Sequence, residues 1–154
     1  MKKTKISEVI DGKGGEIHTI SKDDTVSAAA ARMVSHNMGS LIVTKGAAIA
    51  GIVTERDCLR HLADENADSH TTRVSDIMTS NIIVANPNQT VGECLNIMTE
   101  KRFRHLPVVE NKKIVGILSI GDLVKAAIED QKTEIHYLNE YIQGNYPAFT
   151  AASA

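Results

Sequence analysis

Two seven-residue stretches of this chain, GIVTERD at 51–57 and GILSIGD at 116–122, repeat one pattern of residue types. Each is a glycine, two aliphatic residues, a hydroxyl residue, two variable positions and an aspartate. A hydroxyl at a helix N-terminus can bind a phosphate oxygen together with free N–H groups. An aspartate one turn later can accept hydrogen bonds from both hydroxyls of a ribose, and the glycine would let a flat base lie close to the strand. The pattern is therefore compatible with a nucleotide site.

The same spacing also fits a helix cap. Thr54 with Asp57, and Ser119 with Asp122, place a hydroxyl at the N-cap and an acid at the third helical position, which is a capping box. Such a cap is worth about 1 kcal/mol and requires no ligand. The spacing also occurs at 90–93, outside the two motifs. On spacing alone, the structural interpretation and the nucleotide interpretation both stay open.

The chain contains an internal duplication. Residues 17–59 align without a gap on residues 82–124 at an offset of 65, and ten of the 43 pairs are identical. Upstream, KISEVI at 5–10 resembles RVSDIM at 73–78, where the offset has grown to 68. Most of the identical residues are apolar, which indicates two copies of one folding unit.

Periodicity predicts the order β-α-β-β-α in each copy, and thus an α+β fold. A three-stranded unit cannot bury both sheet faces alone, so we expect the copies to pack about a pseudo-two-fold axis. The predicted domains are 1–70, 71–130 and a C-terminal helix extension with a loose tail at 131–154. The predicted strands are 17–20, 40–43 and 48–53 in the first copy, and 82–85, 106–109 and 113–118 in the second.

Composition narrows the possible functions. The chain has 17 basic and 19 acidic residues, which argues against a nucleic-acid binder. It lacks an apolar run long enough to span a membrane and a secretory signal, so we expect a cytoplasmic protein. Cys58 and Cys94 lie in apolar helical patterns and are expected in the core, and the histidines show no metal-ligand spacing.

With the duplication and the doubled motif in view, residues 5–130 resemble a tandem pair of cystathionine-β-synthase (CBS) domains, called a Bateman module. The stretch RHLPVV at 104–109 adds to the resemblance. The resemblance implies a freestanding regulatory module that binds an adenosine-containing ligand in clefts between its two repeats. AMP, ADP, ATP and NAD are the expected ligands, with S-adenosylmethionine as an alternative, and the module would signal in trans to an unknown protein.

The resemblance also implies roles for individual residues. Asp57 and Asp122 would bind the ribose hydroxyls. The phosphate would be bound by Thr54, Ser119, Arg56, Arg104 and His105. The base would be lined, largely by backbone, by Thr19, Ile20, Ile83, Val84, Ser40 and Pro107.

The two copies differ at charged positions. Arg104 and His105 correspond to Gly39 and Ser40 in the first copy, and Arg56 corresponds to a glycine in the second. We therefore expect the two sites to bind unequally. If the arginines and the histidine faced one cavity, that cavity would suit an anionic nucleotide. The glycine-rich stretch at 12–15 lacks the Walker spacing and is interpreted as a connector that could lie over a ligand.

The last helix is predicted to extend well beyond its counterpart in the first copy. Its apolar residues recur in steps of four and three, interrupted by a glutamine, up to an end at Gly144-Asn145. The stripe would either pack on the chain's own sheets or meet the same helix of a second subunit. The resemblance and four of the five aromatic residues, Tyr137, Tyr141, Tyr146 and Phe149, favour a homodimer through the repeats and this helix.

Three functional hypotheses follow. The first is a nucleotide sensor without chemistry of its own. The second is an enzyme, which the sequence does not favour because it shows no nucleophile–base–orienter set. The third is a structural dimer whose motifs are only helix caps. We expect no catalytic cofactor and no metal.

Overall fold

The computed structural model describes residues 3–14 and 16–143, and the expected helix end at 144–145, Tyr146, Phe149 and the tail lie outside that range. In chain order the elements are α1 (Ile6–Lys13), β1 (Thr19–Ser21), α2 (Val26–His36), β2 (Ser40–Lys45), β3 (Ala48–Thr54), α3 (Glu55–Leu62), α4 (Val74–Ile77), α5 (Val91–Lys101), β4 (His105–Glu110), β5 (Lys113–Ser119) and α6 (Ile120–Ile142). They form an α+β fold, as predicted. Within the described residues, no helix is long and apolar enough to cross a membrane.

The chain divides into two compact units. One is built from residues 16–83 and is called the contiguous unit here. The other combines residues 1–15 with 84–154 and is called the composite unit. This division differs from the boundaries 1–70 and 71–130 that sequence order suggested, because the leading segment of each copy packs with the body of the other copy.

In the contiguous unit, strands β1, β2 and β3 form a sheet in that order, with β1 parallel and β3 antiparallel to β2. Helices α2 and α3 contribute apolar residues to the core, as the predicted periodicity required. Helical periodicity predicts that Val34 shares one face with Val26 and Met33, but Val34 is 82% exposed and lies off the buried face of α2. The buried core consists of Ile20, Val26, Ala29, Met33, Leu41, Val43, Val53, Cys58 and Val74.

In the composite unit, β4 and β5 form an antiparallel pair, but the strand predicted at 82–85 is reduced to one parallel bridge from Ala85 to Val108. Proline explains the loss. At the equivalent place in the contiguous unit, the Ile42 N–H donates to the His18 carbonyl at 3.2 Å. Pro107 stands at the matching position and has no N–H, so the ladder cannot extend past Ala85.

Helix α1 belongs to the composite unit through several long-range contacts. Ile6 is fully buried among residues of α5, β4, β5 and α6. Its N–H donates to the Gln89 carbonyl at 2.9 Å, and the Thr4 hydroxyl donates to Asp130 on α6 at 2.6 Å. In the contiguous unit, Val74 of α4 is the equivalent of Ile6, and its N–H donates to the Asp24 carbonyl at 2.8 Å. The resemblance between 5–10 and 73–78 therefore reflects equivalent packing in the two units.

Helix α6 has 23 residues, whereas its counterpart α3 has eight. The apolar stripe predicted on α6 is exposed, so packing on the chain's own sheets is not the arrangement seen in the described residues. The exposed fractions are 42% for Val124, 47% for Ile128, 57% for Ile135, 54% for Leu138 and 78% for Ile142.

Candidate ligand-binding corners

The repeated motifs form two equivalent strand-to-helix corners, the β3–α3 corner and the β5–α6 corner. At the first, the Thr54 N–H donates to Asp57 Oδ2 at 2.9 Å, and the Asp57 N–H donates to Thr54 Oγ1 at 3.3 Å. At the second, the matching Ser119 and Asp122 distances are 2.8 and 3.2 Å. Both motifs are therefore capping boxes, so the structural interpretation of their spacing is confirmed.

The helix N-termini offer fewer free N–H groups than the sequence suggested. The Glu55 N–H donates to the Gly39 carbonyl at 3.1 Å, and the Ile120 N–H donates to the Arg104 carbonyl at 2.8 Å. Together with the N–H groups inside the capping boxes, these bonds satisfy most of the donors that would otherwise meet a phosphate. A phosphate at either corner would therefore rely mainly on side chains.

The Asp57 side chain is largely buried, with 11% of its surface exposed. Oδ2 accepts from the Thr54 N–H and, at 3.0 Å, from the Thr54 hydroxyl. Oδ1 meets Arg60 at a long 3.5 Å, and that arginine side chain is 72% exposed. An ion pair this long, with an arginine that lies mostly in solvent, contributes little to stability. Oδ1 is thus the oxygen best placed to accept a hydrogen bond from a ligand.

At the β5–α6 corner, Asp122 has an ion-pair partner that the motif did not predict. Lys13, at the end of α1, places its Nζ 2.8 Å from Asp122 Oδ2 and 2.9 Å from the Ile117 carbonyl oxygen. Lys13 lies in the glycine-rich connector at 12–15, which the sequence offered only as a possible cover for a ligand. The charge of Lys13 was visible in the sequence, but nothing there indicated that α1 packs on this unit.

The environment of Asp122 lowers its carboxyl pKa. Burial acts to raise this pKa, but hydrogen bonds from Lys13 and from the Ser119 N–H, with the charge of Lys13, outweigh it. Because the folded-state pKa lies below the unfolded value of 3.8, the stabilisation is fully present above that pH. It is lost as the pH falls through the folded-state value.

The three predicted basic residues lie beside the corners. His105 pairs in register with Ser119 across β4 and β5, and the Arg104 carbonyl bonds to the first residue of α6. The Arg104 side chain is exposed and His105 is half-buried. Arg56 is exposed in the first turn of α3, in the other unit. The unequal charge of the two corners expected from sequence is thus present in the fold, and Lys13 increases it.

The residues predicted to line the base have mixed exposure. Ile20 and Ser40 are each 2% exposed, and Pro107 is also buried, so only the backbone of these residues could face a ligand. Ile83 and Val84, by contrast, expose 38% and 43% of their surface. Thr19 is exposed too, and its carbonyl accepts a hydrogen bond from Arg32. Register places Ser40 opposite Thr54, beside the β3–α3 corner.

The motif glycines serve the protein's own backbone, which corrects the idea that they admit a base. A Cβ on Gly51 would lie 2.4 Å from the Thr79 carbonyl oxygen. Thr79 exchanges two 2.9 Å backbone hydrogen bonds with Ile52, so the segment after α4 crosses β3 at this glycine. In the composite unit, a Cβ on Gly116 would meet the Ile10 side chain of α1 at 3.3 Å. In both units the leading segment occupies the space above the glycine.

Cys58 and Cys94 are buried, as predicted. Burial, with the charge of the neighbouring acid, raises the pKa of the Cys94 thiol to about 11 and raises that of Cys58 as well. Both therefore stay protonated and poorly nucleophilic at neutral pH. In the described part of the chain, no group of three or more His, Cys, Asp or Glu residues is placed to hold a metal ion.

Comparison with known proteins shows which family has this arrangement. The CBS domain model matches residues 6–64 and again residues 74–129. The chain belongs to the CBS domain family and is built as a CBS-domain pair.

Individual relatives agree with this placement. The chain is 41% identical over 152 residues to the CBS domain-containing protein CBSX3, mitochondrial, of Arabidopsis thaliana, covering 93% of this chain and 74% of that protein. A putative signal-transduction protein with CBS domains from Burkholderia ambifaria matches with a TM-score of 0.79 and 42% identity, covering 83% of this chain and 96% of that one.

A more distant structure is the CBS domain pair of protein MJ0100, solved in complex with 5'-methylthioadenosine and S-adenosyl-L-methionine. It matches with a TM-score of 0.73 and 21% identity, over 84% of this chain and 99% of that one. At this identity the likeness shows the shared fold alone.

Proposed function

We propose that this CBS-domain pair is a regulatory module that binds an adenosine-containing nucleotide, AMP, ADP, ATP or NAD, and signals in trans to a partner protein. The observation that carries the proposal is the doubled aspartate: each corner holds one carboxylate whose Oδ2 closes the capping box. The second oxygen of each is left to accept from a ribose hydroxyl. The adenosine compounds bound by MJ0100 support the ligand class.

Thr54 and Ser119 contribute hydroxyls beside these carboxylates. In the composite unit, Arg104 brings positive charge to the same corner, and the imidazole of His105 lies beside it, which suits a phosphate. In the contiguous unit, Arg56 is the charged residue of the first turn of α3. Binding is the activity proposed, since the two thiols are protonated and buried and the corner carboxylates are engaged in caps. S-adenosylmethionine is the alternative ligand within the same class.

Thermal-shift measurements with each nucleotide test the proposal. A ligand at about 100 times its Kd should stabilise the protein by about 2.7 kcal/mol, which raises the Tm by roughly 5–10 °C for a chain of this length. Asp57→Asn and Asp122→Asn should each weaken binding about 10-fold or more at their own corner, because a charged acceptor is lost. An asparagine oxygen can still accept from the N-cap N–H, so the capping box is largely kept.

Glu93→Gln is the matched control. Glu93 closes a third capping box with Thr90, at 2.8 and 3.2 Å, on a helix that does not follow a motif strand. This variant should leave nucleotide binding unchanged. Failure of all the nucleotides and of S-adenosylmethionine to move the Tm would refute the sensor function, and full binding by the double Asp57→Asn, Asp122→Asn variant would refute the ribose role.

We also propose that the chain forms a homodimer in which the repeats and α6 take part. The observation in favour is the apolar stripe of α6, whose five members stay 42–78% exposed in the folded chain. A helix of 23 residues with an uncovered apolar stripe is typical of helix-to-helix association. If the two motifs served only as helix caps, the homodimer would remain as the structural role of the chain.

Sedimentation velocity tests the dimer. The double variant Ile135→Lys, Leu138→Lys places two charges in the stripe and should shift the protein from dimer to monomer at micromolar concentration. Glu129→Lys, on the far side of α6, should leave the dimer intact. A wild-type protein that sediments as a monomer, or a double variant that stays dimeric, would contradict the proposal for α6.

A further inference from the structure

Lys13 binds the proposed ribose carboxylate of the composite unit, although it comes from a helix outside the repeated motif. Its Nζ bridges Asp122 Oδ2 and the Ile117 carbonyl, at 2.8 and 2.9 Å. The Lys13 side chain is 37% exposed and that of Asp122 is 26% exposed, so the pair lies at the surface of the corner. A ligand can therefore reach both charges.

Helix α1 holds Lys13 in place independently of this ion pair. Ile6 is fully buried, Thr4 is bonded to Asp130, and Ile10 packs on the face of Gly116. Only the flexible lysine side chain has to move for Nζ to leave Asp122. The ammonium can thus change partner while α1 stays docked.

The chemistry of the incoming ligand decides whether that exchange is favourable. One hydroxyl of a ribose diol can donate to the free Asp122 Oδ1, but the second reaches the carboxylate only at Oδ2, where Lys13 already donates. A nucleoside therefore competes with Lys13 for Oδ2 and brings no negative charge to replace it, which leaves the ammonium with only the Ile117 carbonyl. A phosphorylated ligand supplies a new anion in a corner that also holds Arg104 and His105. A phosphate beside Lys13 would replace the carboxylate as its partner.

We propose that Lys13 makes the β5–α6 corner selective for nucleotides over nucleosides, by passing its ammonium from Asp122 to the ligand phosphate. This inference rests on the proposed nucleotide function and names the residue that sets the ligand class at one of its two sites. At the equivalent carboxylate of the contiguous unit, Asp57, the ion-pair partner in the described residues is Arg60 of α3, at 3.5 Å, and not a lysine from the leading segment. Selectivity by this route therefore belongs to the composite unit alone.

Calorimetric titration with AMP and with adenosine tests the proposal, using the Asp57→Asn background so that the β5–α6 corner is the site measured. The Asp57→Asn protein with Lys13 intact should bind AMP more tightly than adenosine. Lys13→Met should weaken AMP binding about 10-fold and leave adenosine binding equal or up to about threefold tighter, because the internal competitor is gone. Lys13→Arg should retain most of the AMP preference, and Lys125→Met, an exposed lysine on α6, should not alter either affinity.

The outcomes separate the two proposals. If AMP binds and Lys13→Met changes both affinities by the same factor, or neither, the selectivity role is overturned while the nucleotide function stands. If AMP binds the wild type but not the Asp57→Asn background, the β5–α6 corner is not a nucleotide site and the selectivity role is overturned with it. If neither the wild type nor any variant binds AMP or adenosine, the selectivity role is overturned, and the nucleotide function is decided separately by the thermal-shift measurements with ADP, ATP and NAD.

Discussion

Replacing Gly51 by alanine should destabilise the contiguous unit by about 2–3 kcal/mol, which is a severe effect for one added methyl group. The new Cβ would lie 2.4 Å from the Thr79 carbonyl oxygen and 3.1 Å from the Met78 sulfur. The Thr79 backbone cannot move away without breaking its two hydrogen bonds to Ile52. Urea unfolding of the purified variant, monitored by circular dichroism, measures the loss.

Two other glycines provide matched controls. Gly116→Ala places its Cβ 3.3 Å from the Ile10 side chain, which can rotate, so the cost should stay below about 1 kcal/mol. Gly92→Ala, in the first turn of α5 with nothing within 4 Å, should change stability by no more than about 0.5 kcal/mol, in the stabilising direction. Equal stability of the Gly51 and Gly116 variants would contradict the backbone crossing at Gly51.

Ile6→Ala should destabilise the composite unit by about 2–4 kcal/mol, although Ile6 lies close to the start of the chain. Its side chain is fully buried in a core whose other buried residues lie between Ala85 and Leu123. Truncation therefore removes apolar contacts and leaves a cavity. The exposed residue Val34 is the control, since Val34→Ala should change stability by less than about 0.5 kcal/mol.

Hydrogen exchange can locate the effect of Ile6→Ala. The amides of β4 and β5 should lose protection, whereas those of β2 and β3 in the contiguous unit should lose less. The reverse pattern would show that α1 stabilises the contiguous unit instead. Val74→Ala is the equivalent change in α4. It should reduce protection mainly in β2 and β3, because Val74 is buried in the core of the contiguous unit.

Much of the fold was predictable because the duplication aligns equivalent elements. Buried residues such as Val26 and Val91 repeat at a fixed offset, and the capping pairs mark where both final helices begin. The alignment also showed that the offset grows from 65 to 68 upstream of the repeats. It could not show that the segments on either side of that change belong to different units, because sequence order by itself favours packing with the nearer copy.

The candidate site was predictable in part, for the same reason. Asp57 and Asp122 sit at equivalent corners, as the repeated motif required. The sequence could not say that Gly51 is crossed by Thr79 or that Asp122 is paired with Lys13, since each contact depends on how a leading segment runs across a strand. The loss of the strand at 82–85 could have been predicted from Pro107, because proline lacks the N–H that this strand pairing needs.

The exchange of leading segments has a consequence for how the chain folds during synthesis. Residues 16–83 contain every element of the contiguous unit, so that unit can fold as soon as it leaves the ribosome. Helix α1 is made before these residues but must wait, since its partners in β4, β5 and α6 are made after them. Helix α1 thus stays without its core until α6 has been made, and Ile6 is buried only after residues 16–83 have been synthesised.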